Sequence, residues 1–290
     1  MLEKKPISEI KNKIKRREIF LKTQKQQNRQ NKKRKEKNQE TSEKGVTHTI
    51  ESLREPDETF VNETNALEIV NNEFEQYFQQ SVKPNIAITS SYHPYKKTNK
   101  FCRDLETIIP NSKYYIRKKT NLSILLPKAI EKGFTDLVFV NEDKKIPSSL
   151  MICHLPNGPT TLYKILNFKL SFAFKKNSRK YPEQPEVVLN NFTTTLGHTI
   201  GKMFAVLFPQ TPDFVHRRLV TFHNQRDYIF FRHHRYQFKN GEKVALQELG
   251  PRFTLRLQFL QRGLFDPNHG DYEWSLKRHQ MEKSRRKFYL

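Results

Sequence analysis

Residues 245–263 have the sequence ALQELGPRFTLRLQFLQRG. After the Gly250-Pro251 break, apolar and polar side chains alternate, with Phe253, Leu255, Leu257 and Phe259 on one side and Arg252, Thr254, Arg256 and Gln258 on the other. This period of two residues predicts a half-buried β-strand. The apolar side faces a core. The polar side therefore faces outward, and it carries Arg252 and Arg256, whose role needs an explanation.

The charge of the whole chain indicates a polyanionic partner. Its 290 residues have a formal net charge of +23 at pH 7. Residues 1–45 contain 16 basic and 6 acidic side chains, residues 46–85 contain 2 and 8, and residues 86–290 contain 35 and 16. The folded part is therefore basic by itself, which favours nucleic acid or an anionic membrane surface as partner. No apolar run approaches the length of a membrane span, and two cysteines are typical of a reducing intracellular compartment.

Composition divides the chain into four predicted segments. We predict that residues 1–45 form a basic tail that is largely disordered, or helical when bound, because residues 22–45 contain no aliphatic or aromatic side chain. Its run NKKRKEK (31–37) fits a nuclear address, an RNA-binding arm or a merely solubilising charge cluster. Residues 46–84 are an acidic linker with a docking helix at 66–79, residues 85–264 are the globular domain, and residues 265–290 are a C-terminal basic segment.

The globular domain shows an internal repetition. Each of two halves, at about 85–174 and 185–264, begins with a strand, a helix, a proline and another strand. The prolines that end the two helices are Pro110 and Pro209. This order predicts an α/β domain built by duplication of one unit.

Catalytic and metal-binding patterns are not visible in the sequence. GHTIGK (197–202) has three residues between its glycines where a phosphate-binding P-loop has four, and Met203 follows the lysine. We expect its two glycines to allow close backbone packing. His233 and His234 are adjacent on a predicted strand and point to opposite faces. The sequence therefore predicts no catalytic residue, no metal and no cofactor.

Basic and aromatic side chains alternate in DYIFFRHHRYQF (227–238). One face of this predicted strand carries Phe230, Arg232, His234 and Tyr236, and the other carries Ile229, Phe231, His233 and Arg235. Arginines on a strand offer fixed donors to phosphate oxygens, and exposed rings stack on unpaired bases. Each of these residues, taken alone, is explained equally well by an ordinary half-buried hairpin with charged side chains at its edge. For all of them together, the positive charge of residues 86–290 favours a phosphate-binding surface.

Four segments together resemble the Brix domain family of ribosome assembly proteins. They are HLPNGPTTLYKIL (154–166), TLGHTIGKMFAVLFP (195–209), LVTFHNQRDYIFFRHHRYQF (219–238) and ELGPRFTLRLQFLQRG (248–263). The resemblance covers roughly residues 60–290, whereas the basic tail is similar in composition alone. It implies a Brix domain of two similar halves, each like an anticodon-binding domain, preceded by a basic N-terminal extension.

The resemblance also implies a function and a site. It implies a non-enzymatic factor of the nucleus and nucleolus that binds pre-ribosomal RNA, supports pre-rRNA processing in large (60S) subunit assembly, and contacts pre-60S proteins including a direct assembly-factor partner. No membrane or cofactor is expected. The alternatives are a factor of the small-subunit pathway and a protein-interaction scaffold on pre-ribosomes. The expected RNA-binding residues are Arg252, Arg256, Arg262, Arg217, Arg218, Arg226, Arg232 and Arg235.

Overall fold

The computed structural model describes residues 12–41, 48–61, 74–174, 184–211, 214, 215, 217–239, 243–277, 284 and 286–290, with the backbone alone for 32–41. The chain forms two compact units, Met1–Leu53 and Arg54–Leu290. In the first unit, helix α1 spans Lys13–Thr41, and Ile14, Phe20 and Leu21 on it are exposed. Most of the predicted helix at 66–79 lies outside the described residues, and its end is the single turn α2, Glu75–Phe78.

The second unit contains one mixed sheet. The first part of the chain supplies β1 (Ile86–Ser90), α3 (Lys96–Ile108), β2 (Ser112–Tyr115), α4 (Leu122–Glu131), β3 (Asp136–Asp143), β4 (Ile146–His154) and β5 (Thr160–Lys169), then a 3₁₀ turn (Ser171–Ala173). The second part supplies β6 (Glu186–Asn190), α5 (Thr195–Val206), β7 (Arg218–Gln225), β8 (Tyr228–Lys239), β9 (Lys243–Glu248), β10 (Arg252–Arg262) and β11 (Asp271–Ser275). The predicted α/β class is confirmed.

The strand order reveals the repetition. The order is β2-β1-β3-β4-β5-β10-β8-β7-β6, with β9 paired to β8 and β11 to β10. In the first half β1 is parallel to β3, and β4 is antiparallel to both β3 and β5. In the second half β6 is parallel to β7, and β8 is antiparallel to both β7 and β10. An antiparallel pairing of β5 with β10 joins the halves into one sheet.

The halves differ in the connection that follows the first helix. In the first half, residues 109–135 contain β2 and α4, whereas the connection from α5 to β7 consists of residues 207–217 alone. By its pairing, β7 therefore corresponds to β3. The repetition read from the sequence made the strand after Pro110, β2, equivalent to the strand after Pro209, β7. The strand order corrects this equivalence.

Helices α3 and α5 cover the same face of the sheet. On α3, Phe101 meets Phe253 of β10 edge to face at 5.2 Å, and on α5, Phe204 stacks on Phe222 of β7 at 4.4 Å. These rings belong to the main hydrophobic core. We call this side of the sheet the core face.

Helix α4 covers the opposite side of the first half. Its buried Leu126 and Ala129 pack in a second cluster with Ala87, Leu137 and Cys153. The chain neighbours of those strand residues, such as Ile152 beside Cys153, belong to the main core. Because successive strand residues point to opposite faces, α4 lies on the face away from α3.

The quoted strand is β10, and its alternation changes phase near its end. Phe253, Leu255 and Leu257 are buried as predicted. A register shift between Leu257 and Phe259 then moves Phe259 out of the predicted core side, and Leu260 is buried instead. The bulge explains the error, because one extra residue exchanges the faces of everything beyond it.

Candidate nucleic-acid interface

The second half leaves one face of the sheet without a covering helix among the described residues. This open face consists of the sides of β10, β8 and β7, together with the adjoining strand β5 of the first half, that point away from α3 and α5. Most of its side chains are partly exposed. The open face carries Lys164, Leu166, Lys169, Thr221, His223, Gln225, Tyr228, Phe230, Arg232, His234, Arg252, Thr254 and Arg256.

Strand register arranges these side chains in rows across the sheet. One row runs Gln225, Tyr228, Arg256 and Lys164. The next row runs His223, Phe230, Thr254 and Leu166. In the third row, Thr221 lies opposite Arg232, and Arg252 lies opposite Lys169. An uncharged row, apart from His223, thus lies between two rows that each contain at least two cations, and we call these the central row and the cationic rows.

Arginine and aromatic side chains contact each other on the open face. The Arg256 guanidinium lies 5.4 Å from the ring centre of Tyr228, and that of Arg232 lies 5.6 Å from the ring centre of Phe230. Arg232 also donates to the main-chain oxygen of Phe231 at 2.7 Å, and its partial burial lowers its pKa. These contacts fix the positions of the two cations, which is the arrangement that a phosphate-binding surface requires.

Arg252 lies on the open face but is already engaged. Its Nε donates to Glu248 Oε1 at 2.7 Å, and a second nitrogen donates to the other carboxylate oxygen. This hydrogen-bonded pair raises the pKa of Arg252 and lowers that of Glu248. A phosphate would compete with the carboxylate for the same fork, so Arg252 is a weaker candidate than Arg256.

Arg218 lies in the core and is not part of the interface. It is 2% exposed, its guanidinium lies 3.3 Å from His233 Nε2, and it contacts the main-chain oxygen of Thr107 at 3.5 Å. Strand β7 alternates with Arg218, Val220, Phe222 and Asn224 on the buried side. The prediction of an RNA contact at Arg218 is therefore corrected by the phase of its own strand.

The remaining predicted arginines lie in three other places. Arg217 and Arg235 line a groove beside the ribbon of β8 and β9, and the Arg217 guanidinium lies 5.6 Å from the Phe238 ring. Arg226 is exposed in the turn between β7 and β8. Arg262 is exposed at the end of β10, 3.5 Å from Glu273. The structure thus unites Arg232, Arg252 and Arg256 and separates them from the others.

Sequence reasoning missed Lys164, Lys169 and Tyr228 as members of the open face. Lys164 lies between Leu162 and Leu166 on the same side of β5, so its strand shows no polar side. Only the pairing of β5 with β10 brings Lys164 beside Arg256. That pairing joins distant segments, and the local pattern does not encode it.

Backbone contacts explain Gly197 and Gly158, whereas a Cβ on Gly201 would meet only side-chain atoms, at 3.6 Å or more, so the predicted close backbone packing is seen at Gly197 and not at Gly201. A Cβ on Gly197 would lie 3.0 Å from the main-chain carbon of Leu290, and one on Gly158 would lie 2.3 Å from that of Gly263. Close packing, and not phosphate binding, accounts for Gly197. Within the described residues there is no cluster of three His, Cys, Asp or Glu side chains suited to a metal, and no helix is long and apolar enough to span a membrane.

Comparison with known proteins identifies relatives over nearly the whole chain. The Brix domain model matches residues 91–258. Ribosome production factor 1 of Xenopus laevis is 50% identical, over 98% of this chain and 86% of the relative. The protein of that name from Saccharomyces cerevisiae is 40% identical, over 97% of both chains. Among solved structures, a probable ribosomal biogenesis protein from Aeropyrum pernix K1 matches 67% of this chain and 99% of its own, at a TM-score of 0.46 and 15% identity.

Proposed function

This chain belongs to the Brix domain family, and from that membership we propose that it is a ribosome assembly factor that binds pre-ribosomal RNA through the open face. The observation that carries the proposal is the pair of cationic rows. Arg232, Arg256 and Lys164 are held by strands of one sheet on the face that no described helix covers. Both arginines lie beside aromatic rings, and Lys164 lies opposite Arg256. The net charge of +23 supplies long-range attraction to a polyanion.

The role that we propose is non-enzymatic and belongs to the large (60S) subunit pathway. The factor would support pre-rRNA processing in the nucleolus, among pre-60S proteins that include a direct partner. Support comes from relatives that are named ribosome production factor 1 and from the segments HNQRDYIFF (223–231), ELGPRFTL (248–255), DYEW (271–274) and SRRKFYL (284–290), which resemble that protein. Depletion followed by analysis of precursors tests the pathway: accumulation of small-subunit precursors alone would contradict it.

The salt dependence of RNA affinity tests the open face. Each phosphate contact releases counterions, so the logarithm of the affinity falls with the logarithm of salt concentration, with a slope of about −0.7 to −0.9 per contact. We expect Lys164→Gln combined with Arg256→Gln to weaken binding to a pre-rRNA fragment about tenfold and to reduce the slope by about one to two.

The first half offers a matched control for this variant. Lys128 and Lys132 are exposed on and just after α4, and Lys128→Gln with Lys132→Gln removes the same charge. If both double variants lose the same affinity and the same slope, binding follows net charge and not the open face. Affinity of the parent chain that does not change between 50 and 200 mM salt would contradict RNA binding altogether.

A second candidate function, a protein-interaction scaffold, is favoured by the ribbon of β8 and β9. Phe238, Val244 and Leu246 are exposed there, each by about half or more of its surface. Exposed apolar side chains on a ribbon are typical of protein contacts. Recruitment of the Lys164→Gln, Arg256→Gln variant to pre-ribosomes at the level of the parent chain would favour the scaffold.

A further inference from the structure

We infer that the open face takes an unpaired stretch of RNA, with bases stacked on the central row and phosphates at the cationic rows. The inference rests on the proposed function and adds the class of RNA. It starts from the order of the rows: Phe230, Thr254 and Leu166 occupy the middle, and Arg256 with Lys164 lies on one side and Arg232 on the other.

The central row is suited to base faces. Phe230 supplies a ring on β8 and Leu166 an aliphatic side chain on β5, both partly exposed. Thr254 lies between them on β10 with 5% of its surface exposed, so it forms the floor of the row. The His223 ring lies 6.4 Å from the Phe230 ring on the other side. A base has an apolar π-face that gains by stacking on such side chains, whereas riboses and phosphates gain little from them.

Paired RNA fits this arrangement poorly. In an A-form duplex the bases are stacked on one another, and the wide minor groove presents 2′-hydroxyls and base edges. Those polar groups would lose hydration against Phe230 and Leu166 without a hydrogen-bond partner in return. An unpaired strand presents the faces of its bases to the sheet and directs its phosphates sideways to the cations.

The dimensions give the length of the bound segment. Strands lie about 4.8 Å apart, so a row across β7, β8, β10 and β5 extends over roughly 14 Å. A four-stranded sheet with exposed rings stacks two or three bases in other RNA-binding folds. We therefore expect about two or three unpaired nucleotides to contact the central row.

The cation and ring contacts seen without RNA are consistent with this role. Arg256 lies against Tyr228, and Arg232 lies against Phe230, at 5.4 and 5.6 Å. At 5.6 Å from the centre of the Phe230 ring, the Arg232 guanidinium holds its charge next to the central row. A base that stacks on Phe230 would then have Arg232 beside its phosphate.

The test compares a 12-nucleotide single-stranded RNA with the duplex that it forms with its complement, at equal salt. We expect the full-length protein to bind the single strand at least about tenfold more tightly. Phe230→Leu keeps an apolar side chain and removes the ring, and we expect it to weaken single-strand binding about tenfold without a change in the salt slope or in duplex affinity. Tyr115→Leu, at an exposed ring of the first half, is the matched control and should have no effect.

The outcomes separate this inference from the proposed function. Equal affinity for single strand and duplex, or single-strand affinity that Phe230→Leu does not change, overturns the inference and leaves RNA binding by the open face intact. If the parent chain binds neither RNA in a salt-dependent way, the proposed function is overturned. Circular dichroism of each variant shows that the fold is retained, and Phe230→Tyr, which keeps a ring, should restore tight binding to the single strand.

Discussion

The two halves of the domain have the same strand pairing but cover their faces differently. In the first half, α3 packs on one face and α4 on the other, so β1, β3 and β4 are buried on both sides. In the second half, α5 packs on the core face and no described helix covers the other. The first half thus uses for packing the face that the second half leaves open, and it is on this open face that we propose RNA binding.

The uncovered face follows from the length of one connection. Residues 109–135 of the first half are long enough for a strand and a ten-residue helix, whereas 207–217 of the second half are not. The strand side chains on the two faces differ in the same way. Under α4 the strands present Ala87, Leu137 and Cys153, while the open face presents Phe230 and Arg256.

The largest expected effect tests whether side chains on the two faces contribute differently to the unfolding free energy. Leu126 of α4 is buried, and Leu126→Ala would leave a cavity that costs about 2–5 kcal/mol of unfolding free energy. Phe230 of the open face is partly exposed, so we expect Phe230→Ala to cost less than about 1 kcal/mol. Urea denaturation measures both. Equal losses would mean that the open face is as well packed as the face under α4.

Local patterns in the sequence predicted much of this fold. The alternation in 252–257 gave the buried side of β10, and that in 228–236 gave the two faces of β8, because each strand has one apolar side. The repetition of strand, helix and strand indicated the duplication. These features depend on neighbours in the sequence, so a period of two or 3.6 residues reveals them.

Features that depend on distant pairing were not predictable. Arg218 begins a strand whose buried phase starts with the arginine itself, and its partner His233 lies across the sheet. Arg252 meets Glu248 because a bend at 249–251 separates β9 from β10 along the same edge of β8. The sequence shows that both residues are basic, but it does not show that Arg218 contacts His233 or that Arg252 contacts Glu248.

The second prediction concerns His233, which is buried in the second half. His233 Nδ1 donates to the main-chain oxygen of Gly250 at 2.8 Å, and its Nε2 faces the Arg218 guanidinium. Burial, together with this cation, lowers the pKa of His233 to about 4. The unfolded chain, with an ordinary pKa near 6.5, binds a proton first as the pH falls, so His233 destabilises the fold between about pH 6.5 and 4.

The expected size of this effect is up to about 3 kcal/mol at the acid end of that range, and it is absent above pH 7. We expect His233→Gln to flatten the dependence of unfolding free energy on pH, whatever its effect at pH 7. His269 is exposed, and His269→Gln is the control that should keep the slope of the parent chain. A profile that His233→Gln does not change would show that other groups cause the acid sensitivity.

The smallest effect compares the equivalent hairpin turns of the two halves. Lys144-Lys145 joins β3 to β4, Arg226-Asp227 joins β7 to β8, and all four residues have φ between 50° and 66°. Glycine adopts this conformation without strain, so we expect Lys145→Gly to raise the unfolding free energy by about 0.5–1 kcal/mol. Asp227 differs because its carboxylate accepts from the main-chain nitrogens of Tyr289 and Leu290, at 2.8 and 3.0 Å.

Glycine at the second turn therefore has two opposite consequences. Asp227→Gly relieves the same backbone strain but removes both hydrogen bonds, so we expect a net loss of about 1 kcal/mol. Asp227→Asn keeps an oxygen acceptor and tolerates the positive φ, and it should lie close to the parent chain. Urea denaturation of the three variants measures the contrast. If Asp227→Gly stabilises the protein as much as Lys145→Gly does, residues 289 and 290 contribute nothing to the second half, and the two turns are equivalent in energy as well as in geometry.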